Sequence, residues 1–326
     1  MKLTFEPYRL ELKHSFRLAT GVRSHTEVVY VKLEHEGLTT LGESSVPPYL
    51  GETVESVLDF LRRIDSNQIN LEDLRSTRRY LDELKEGNQA AKAGVEMALI
   101  RMAAKRSGQS LFDYLGIEDQ PTETSYTIGI SNAKELHEKL EEAKEYKIIK
   151  LKLGSVDDFA LIKAFREKTQ KPFTVDVNQG WSDYGKATDL AYYLREAGCL
   201  FVEQPFHRED IDAHFRLKEE EILPVYGDES IRGVNEFRDR VEAFDGVVVK
   251  LMKTSGPMGA MEILREARER GIKTIMGCMA ESSVAVAMAR ILAPLADFAD
   301  LDGPLLLKND PYDLLTYHKG AVRLPE

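Results

Sequence analysis

Apolar and polar residues alternate along roughly the first 45 positions, in "MKLTFEPYRLEL" and again in "TEVVYVKLEHEGLTTLGE". A period of two puts the apolar side chains on one face of a strand, so antiparallel strands are predicted here. Between them, "SFRLATGVRSHTE" has turn-forming composition and little periodicity, and reads as a loop. "SSVPPYLGET", with Pro47, Pro48 and Gly51, reads as another. From about 53 to 115 the period becomes helical. "NQAAKAGVEMALIRMAAKRSG" sets Ala90, Ala93, Met97, Ile100 and Ala104 along one stripe, with Gly108 as a stop signal.

From about 122 the rhythm changes. Short β-rich stretches alternate with amphipathic helical ones. The strands are "SYTIGI" (125–130), "IIKLKL" (148–153), "FTVDV" (173–177), "CLFVE" (199–203), "PVYGD" (224–228), "GVVVKL" (246–251), "KTIMG" (273–277) and "DFADLD" (297–302). Helical patterns such as "NAKELHEKLEEAKEY", "YGKATDLAYYLREAG" and "GPMGAMEILREARERG" lie between them. This alternation predicts parallel βα units closed into a barrel, with an open doubly wound sheet as the alternative. No glycine-rich phosphate fingerprint follows the first strand, which disfavours a dinucleotide fold. The tail "LLLKNDPYDLLTYHKGAVRLPE" holds no further barrel unit and is expected to pack back on the N-terminal region. The organisation expected is therefore an α+β unit over 1–120, completed by about 304–326, and a barrel over 121–303.

Composition narrows the function. Of the 326 residues, 43% are hydrophobic and 30% charged, and the formal net charge is −11. That charge disfavours nucleic acid or an anionic membrane as a partner. No run approaches the roughly 20 apolar residues of a membrane helix, and the N-terminus lacks a signal-peptide core. The two cysteines, Cys199 and Cys278, sit in apolar strand-like stretches and read as buried free thiols, as expected in a reducing cytoplasm.

One strand is chemically odd. "YKIIKLKLGS" places Lys150 and Lys152 on one face, opposite Ile149, Leu151 and Leu153. Lysine is rarely buried without a partner. The last charged residues of five successive strands are Lys152, Asp176, Glu203, Asp228 and Lys250, at intervals of 24, 27, 25 and 22 residues. Such positions converge at the C-terminal mouth of a βα barrel, where its active sites lie. Three carboxylates gathered there repel one another unless a cation binds. An all-oxygen set without His or Cys suits Mg²⁺, one per subunit, and not zinc. Lys152 and Lys250 then flank a metal-bound substrate carboxylate from opposite sides. The positive charge between them lowers their proton affinity, so that one can act as a base. A base on each face of a planar enolate permits inversion at carbon. A single charged strand end is ordinarily a solvated cap, and an ion-pair network is the bland alternative. Three acids against two lysines leave an excess of negative charge where a cation fits.

The ordered stretches "KLKLG", "VDVNQGW", "VEQP", "GDES", "VVVKLMKTSG" and "GCMAESS" resemble the enolase superfamily in its muconate-lactonizing-enzyme-like subgroup. A lysine base with Mg²⁺ is already known for enolase-type sites. The resemblance implies an α+β capping domain followed by a modified (β/α)₇β TIM-type barrel. It implies Asp176, Glu203 and Asp228 as Mg²⁺ ligands and Lys152 and Lys250 as the acid–base pair. Lys150 is implied as the neighbour that keeps Lys152 unprotonated, and Asn178 and Glu229 as supporting groups. Members are often dimers or octamers, so a homo-oligomer is implied as well.

"FADLDGPLLL" carries Asp300 and Asp302, which by alternation face the mouth. The pair resembles that of the dipeptide epimerases, which bind the free α-ammonium group of a dipeptide. Two carboxylates satisfy an ammonium's three donors and its charge. Thr127, Met279 and Glu281 join the implied substrate-binding set, with helix capping as the alternative for Glu281. Arg23, near His25 in the first loop, is the candidate partner for an acidic second side chain; a surface position is the alternative. The reading is an Mg²⁺-dependent L-Ala-X dipeptide epimerase inverting the α-carbon of the C-terminal residue. N-acylamino acid racemase, o-succinylbenzoate synthase or a cycloisomerase is the alternative within the family. A non-catalytic metal-stabilised scaffold is the alternative outside it.

Overall fold

The computed structural model describes residues 1–18, 21–129, 133–154 and 157–325. Ala19, Thr20, Ile130, Asn132, Ser155 and Glu326, which fall within segments read above, lie outside the described residues. The chain opens with β1 (Lys2–Leu18), β2 (Gly21–His35) and β3 (Leu38–Ser45), an antiparallel sheet with β2 at its centre. Four helices follow: α1 (Val54–Arg62), α2 (Leu74–Leu84), α3 (Gln89–Arg106) and α4 (Leu111–Leu115). A short β4 (Thr122–Glu123) leads to the barrel.

The barrel runs β5 (Tyr126–Ile128), α5 (Ala133–Glu142), β6 (Ile149–Lys152), α6 (Asp158–Lys168), β7 (Phe173–Asp176), α7 (Tyr184–Glu196) and β8 (Cys199–Glu203). It continues with α8 (Ile211–Glu219), β9 (Val225–Gly227), α9 (Val234–Arg240), β10 (Gly246–Val249), α10 (Pro257–Glu269), β11 (Lys273–Gly277), α11 (Ser283–Leu292) and β12 (Phe298–Asp300). The eight strands β5 to β12 pair in sequence order, all parallel. The first and last meet where Ser125 N donates to Ala299 O at 3.1 Å. This is the (β/α)₇β barrel expected, beside a separate antiparallel sheet.

The segment expected as a loop at 15–27 is instead largely strand. β1 and β2 pair through Phe16↔Arg23, Arg17↔Val22 and Leu18↔Gly21, after a register shift beyond Glu11. The backbone ladder makes these strands, and the shift breaks the side-chain alternation that would have revealed them. β2 is buried on both faces. Val29, Val31 and Leu33 pack under α1 and α3, while Val28 and Tyr30 join Leu10, Leu12, Val284 and Leu307. α3 likewise has two apolar faces rather than one stripe. Ala90, Ala93, Met97 and Ile100 belong to the barrel core, and Ala91, Val95, Ala98, Leu99 and Met102 to the core under the N-terminal sheet.

The tail divides. Lys308 N donates to Glu11 O at 2.8 Å and Glu11 N to Asn309 Oδ1 at 2.7 Å, so this part meets β1. Beyond it, β13 (Thr316–His318) pairs with β14 (Ala321–Arg323), β14 pairs with β4, and Val322 joins the barrel core.

The N-terminal unit is fastened to the barrel by buried carboxyls. Glu43 Oε1 accepts from Ser282 N (2.9 Å) and Oε2 from Ala285 N (3.1 Å), at the start of α11. Glu96 Oε2 accepts from Met258 N (2.8 Å) at the start of α10. Helix N-termini offer unsatisfied N–H groups, which is why a buried acid is tolerated there. β3 and α3 meet closely: a Cβ on Gly42 would lie 1.8 Å from Gly94 O.

Two stability outcomes follow from these contacts. Gly42→Ala destabilises the protein by at least about 1–3 kcal/mol, the usual range for overpacking, whereas Gly37→Ala, with open space around it, carries only the left-handed backbone penalty. Denaturant unfolding checks this, and equal midpoints for Gly42→Ala and wild type would refute the close approach. Burial pushes the Glu96 carboxyl up from 4.5 to about 7. Its protonated form therefore favours the fold fully below about 4.5, and that contribution fades as pH rises through 7. Thermal melts of Glu96→Gln should gain on wild type between pH 5 and 8; a constant difference would contradict the assignment.

Candidate active site

The side chains read as candidates converge. A cavity of about 450 Å³ opens at the C-terminal ends of the barrel strands, within the usual range for small-ligand sites. Lys150, Lys152, Asn178, Asp228, Glu229, Lys250, Met279, Asp300, Asp302 and Thr127 line it from the barrel, and Arg23 lines it from the N-terminal sheet. Asp176 and Glu203 lie beneath its floor, fully buried.

Asp176, Glu203 and Asp228 are each met by a lysine. Lys152 Nζ donates to Asp176 Oδ2 at 2.5 Å. Lys150 Nζ lies 3.1 Å from that same oxygen and donates to Glu203 Oε2 (2.7 Å) and Asp300 Oδ2 (2.8 Å). Across the barrel, Lys250 Nζ donates to Asp228 Oδ2 at 2.7 Å. Lys253 Nζ takes the other oxygen, Asp228 Oδ1, at 2.6 Å, and also donates to Asp228 O and Val248 O. Lys253, completely buried, was not among the candidates. It follows Lys250 by three residues in an apolar stretch, and that was the available signal.

The charge count therefore differs from the sequence-based one. Four lysines, not two, face six acids, Asp176, Glu203, Asp228, Glu229, Asp300 and Asp302, so the acids remain in excess. Among the described residues, no three of these acids close on a ready-made metal cluster; ammonium groups sit between them instead. The carboxylates around Lys250 act on its proton affinity in the direction opposite to a cation. Burial works against its charge, but Asp228, Tyr49 and Glu203 outweigh burial and hold it well above the ordinary lysine value. Lys150 is raised likewise, with burial opposed by Asp300, Glu203 and Asp176. The lowering expected for a base needs a cation to compete for those carboxylates.

The donor set fits a hard cation. Glu203 Oε1 is buried and accepts no hydrogen bond. Burial and the neighbouring charge of Asp176 push the Glu203 carboxyl well above its usual range. An unpartnered anionic oxygen beside a second carboxylate is costly without a counter-charge. Asp176, Glu203 and Asp228 offer only oxygens, which suits Mg²⁺. Asn178 N donates to Asp176 Oδ1 (2.9 Å) and Asn178 Nδ2 to Glu229 Oε1 (3.2 Å). Burial, with Asp228 and Asp176, pushes Glu229 up to about 7.

Asp300 and Asp302 both line the cavity, but not as strand alternation has it. β12 ends at Asp300, and Asp302 reaches the mouth from the turn before Gly303. Asp300 is engaged on both oxygens, by Lys150 and by Ser125 Oγ (2.6 Å). Asp302 Oδ2 accepts from Thr127 N at 2.6 Å, and burial with Asp300 pushes its carboxyl up to about 7. Glu281 stands outside the cavity lining, buried behind it beside Glu43, and burial pushes it up to about 8. The capping of α11 falls to Glu43 and Ser282, not to Glu281. Cys278 is a free thiol that lines the cavity rather than a strand-core residue; Cys199 is buried. Tyr49 was also missed. It comes from the Pro47–Pro48 segment, and its hydroxyl donates to Met279 Sδ at 3.1 Å. Leu12, Pro47 and Leu306 complete an apolar wall.

Residues 132–326 match a family model described as enolase C-terminal domain-like, and residues 4–116 match the mandelate racemase/muconate lactonizing enzyme N-terminal domain. The chain is 39% identical over 330 residues to the L-Ala-D/L-Glu epimerase of Bacteroides thetaiotaomicron, covering 99% of this chain and 85% of that protein. Its structure is similar to that of a substrate-liganded L-Ala-D/L-Glu epimerase from Bacillus subtilis, with a TM-score of 0.94 and 25% identity over 100% and 96% of the two chains. It is also similar to a dipeptide epimerase from Methylococcus capsulatus complexed with Mg and L-Arg-D-Lys, with a TM-score of 0.91 and 27% identity over 100% and 97%. With both family models matched in order along its length, the chain belongs to the mandelate racemase/muconate lactonizing enzyme family of the enolase superfamily.

Proposed function

We propose that the chain is an Mg²⁺-dependent dipeptide epimerase of L-Ala-X type, inverting the α-carbon of the C-terminal residue by proton transfer between two lysines. The observation that carries this reading is that Lys152 and Lys250 line one cavity from β6 and from just beyond β10, strands four apart around the eight-strand barrel. They therefore approach a bound substrate from opposite faces. One removes the α-proton, and the other returns a proton to the opposite face. Held by Asp176, Glu203 and Asp228, Mg²⁺ supplies positive charge that offsets the charge developing as the α-proton leaves. Asn178 steadies Asp176 through its backbone N–H, and Lys150 ties Asp176, Glu203 and Asp300 together.

Asp302 is the group suited to the substrate ammonium, because Asp300 is already engaged by Lys150 and Ser125. Arg23, half-buried in the opposite wall, supports an acidic second residue. Met279 and Tyr49 shape the space around it. No helix of the described residues is long and apolar enough to cross a membrane. The free thiols support placement in a reducing cytoplasm.

Proton NMR in D₂O with Mg²⁺ and an L-Ala-X library tests the reading. Loss of the C-terminal residue's α-proton signal, with growth of the second diastereomer, is expected. Chelation should stop both, and added Mg²⁺ should restore them. Asp302→Asn should lower kcat/KM for free-amine dipeptides about ten- to a hundredfold, the scale of a lost charged hydrogen bond. Exchange on N-succinyl amino acids with none on any dipeptide would contradict the proposal.

A further inference from the structure

Gln204 follows Glu203 at the end of β8, is completely buried, and has φ +41°. Glutamine rarely adopts that left-handed conformation. Asn178 (φ +46°) and Gln179 (φ +69°), just beyond Asp176, share it. Such backbone persists only where the surroundings over-determine it, and it gathers at functional sites.

The bonds of Gln204 account for its conformation. Its Oε1 accepts from Asp228 N (2.9 Å) and Ser230 N (3.1 Å). Its Nε2 donates to Ser230 Oγ (2.8 Å) and Phe206 O (3.1 Å), and lies 3.1 Å from His214 Nε2. His214 Nδ1 faces Asp210 O at 2.7 Å. A carbonyl only accepts, so Nδ1 carries the hydrogen and Nε2 is left as an acceptor. That fixes the amide: its NH₂ end faces His214, and its oxygen faces the two backbone N–H groups. The Gln204 peptide adds two more ties, its N to Tyr226 O and its O from Gln179 N, each 2.8 Å. One residue thus joins the ends of β7, β8 and β9, the strands that present Asp176, Glu203 and Asp228.

The network also reaches the N-terminal unit. Ser230 Oγ donates to Arg208 O (2.9 Å), and Arg208 Nη1 donates to Tyr49 O (3.0 Å). Gln204 itself does not line the cavity, so it touches no substrate.

We propose that Gln204 is a positioning residue that sets the spacing of Glu203 and Asp228 for a divalent cation. The inference rests on the Mg²⁺ reading of this site given above. Its side chain is neutral, so replacing it changes ligand geometry without adding or removing charge.

Titration calorimetry of Mg²⁺ into substrate-free wild type, Gln204→Met and Ser230→Ala tests this. Gln204→Met should bind Mg²⁺ about 10- to 100-fold more weakly, as for other groups that orient metal ligands. The Mg²⁺ concentration for half-maximal activity should rise by a similar factor. KM for the dipeptide at saturating Mg²⁺ should move much less, a split that general destabilisation would not produce. Ser230→Ala removes only the hydroxyl that receives Nε2. It should weaken Mg²⁺ binding severalfold, and it carries the test if Gln204→Met does not fold. Wild type that binds Mg²⁺ alongside folded variants of unchanged affinity overturns this inference alone. Wild type that binds no Mg²⁺ overturns the metal reading and this inference together.

Discussion

Mutual neutralisation of buried acids and lysines at the barrel mouth is the constraint around which the site is built. Asp176, Glu203 and Asp228 are almost wholly removed from water, as are Lys150, Lys152, Lys250 and Lys253. Buried charges are tolerated only when paired and hydrogen-bonded. Every one of these lysines accordingly contacts an acid at 2.5–2.8 Å. With Glu229, Asp300 and Asp302 also buried there, the acids number six against four lysines, and Glu203 Oε1 is left without a donor. The cluster is held in place by the ammonium groups already present. Removing Lys150 would leave Glu203 with no lysine, and removing Lys253 would leave Asp228 Oδ1 without its donor, so Lys150 and Lys253 hold the carboxylate framework whether or not they meet substrate.

The N-terminal unit supplies the other wall of the cavity, and its attachment determines where that wall stands. α3 serves two cores at once. Glu43 and Glu96 plug the starts of α11 and α10, and Arg208 holds the carbonyl of Tyr49. The side chains that line the cavity from this unit, Arg23 and Tyr49 among them, are thereby fixed relative to the lysines although they lie far away in sequence. The acids and lysines of the cavity thus come from barrel strand ends, and the wall that faces them from the N-terminal unit.

Most of the barrel was legible because strand period and βα spacing are local properties. Five charged strand ends in phase sufficed to identify Lys152, Asp176, Glu203, Asp228 and Lys250 as neighbours. What the sequence hid depends on tertiary contact. The pairing of Phe16 with Arg23 lies past a register shift that erases alternation. Lys253 and Gln204 look like ordinary polar residues until their partners on other strands are seen. Asp300 and Asp302 look equivalent in sequence, yet Lys150 and Ser125 claim the first. The raised proton affinity of Lys250 reflects Asp228, Tyr49 and Glu203, which come from other segments.

Opposed lysines are the central claim, and stereochemistry tests them most directly. Lys152→Ala and Lys250→Ala, each incubated in D₂O with Mg²⁺ and separately with the two epimers of a good substrate, would be followed by NMR. A single remaining base can remove and return a proton on its own face only. Each variant should therefore fail to epimerise and should exchange the α-proton of one epimer alone, and the two variants should choose opposite epimers. Two variants that exchange the same epimer, or one that still inverts the carbon, would contradict the account.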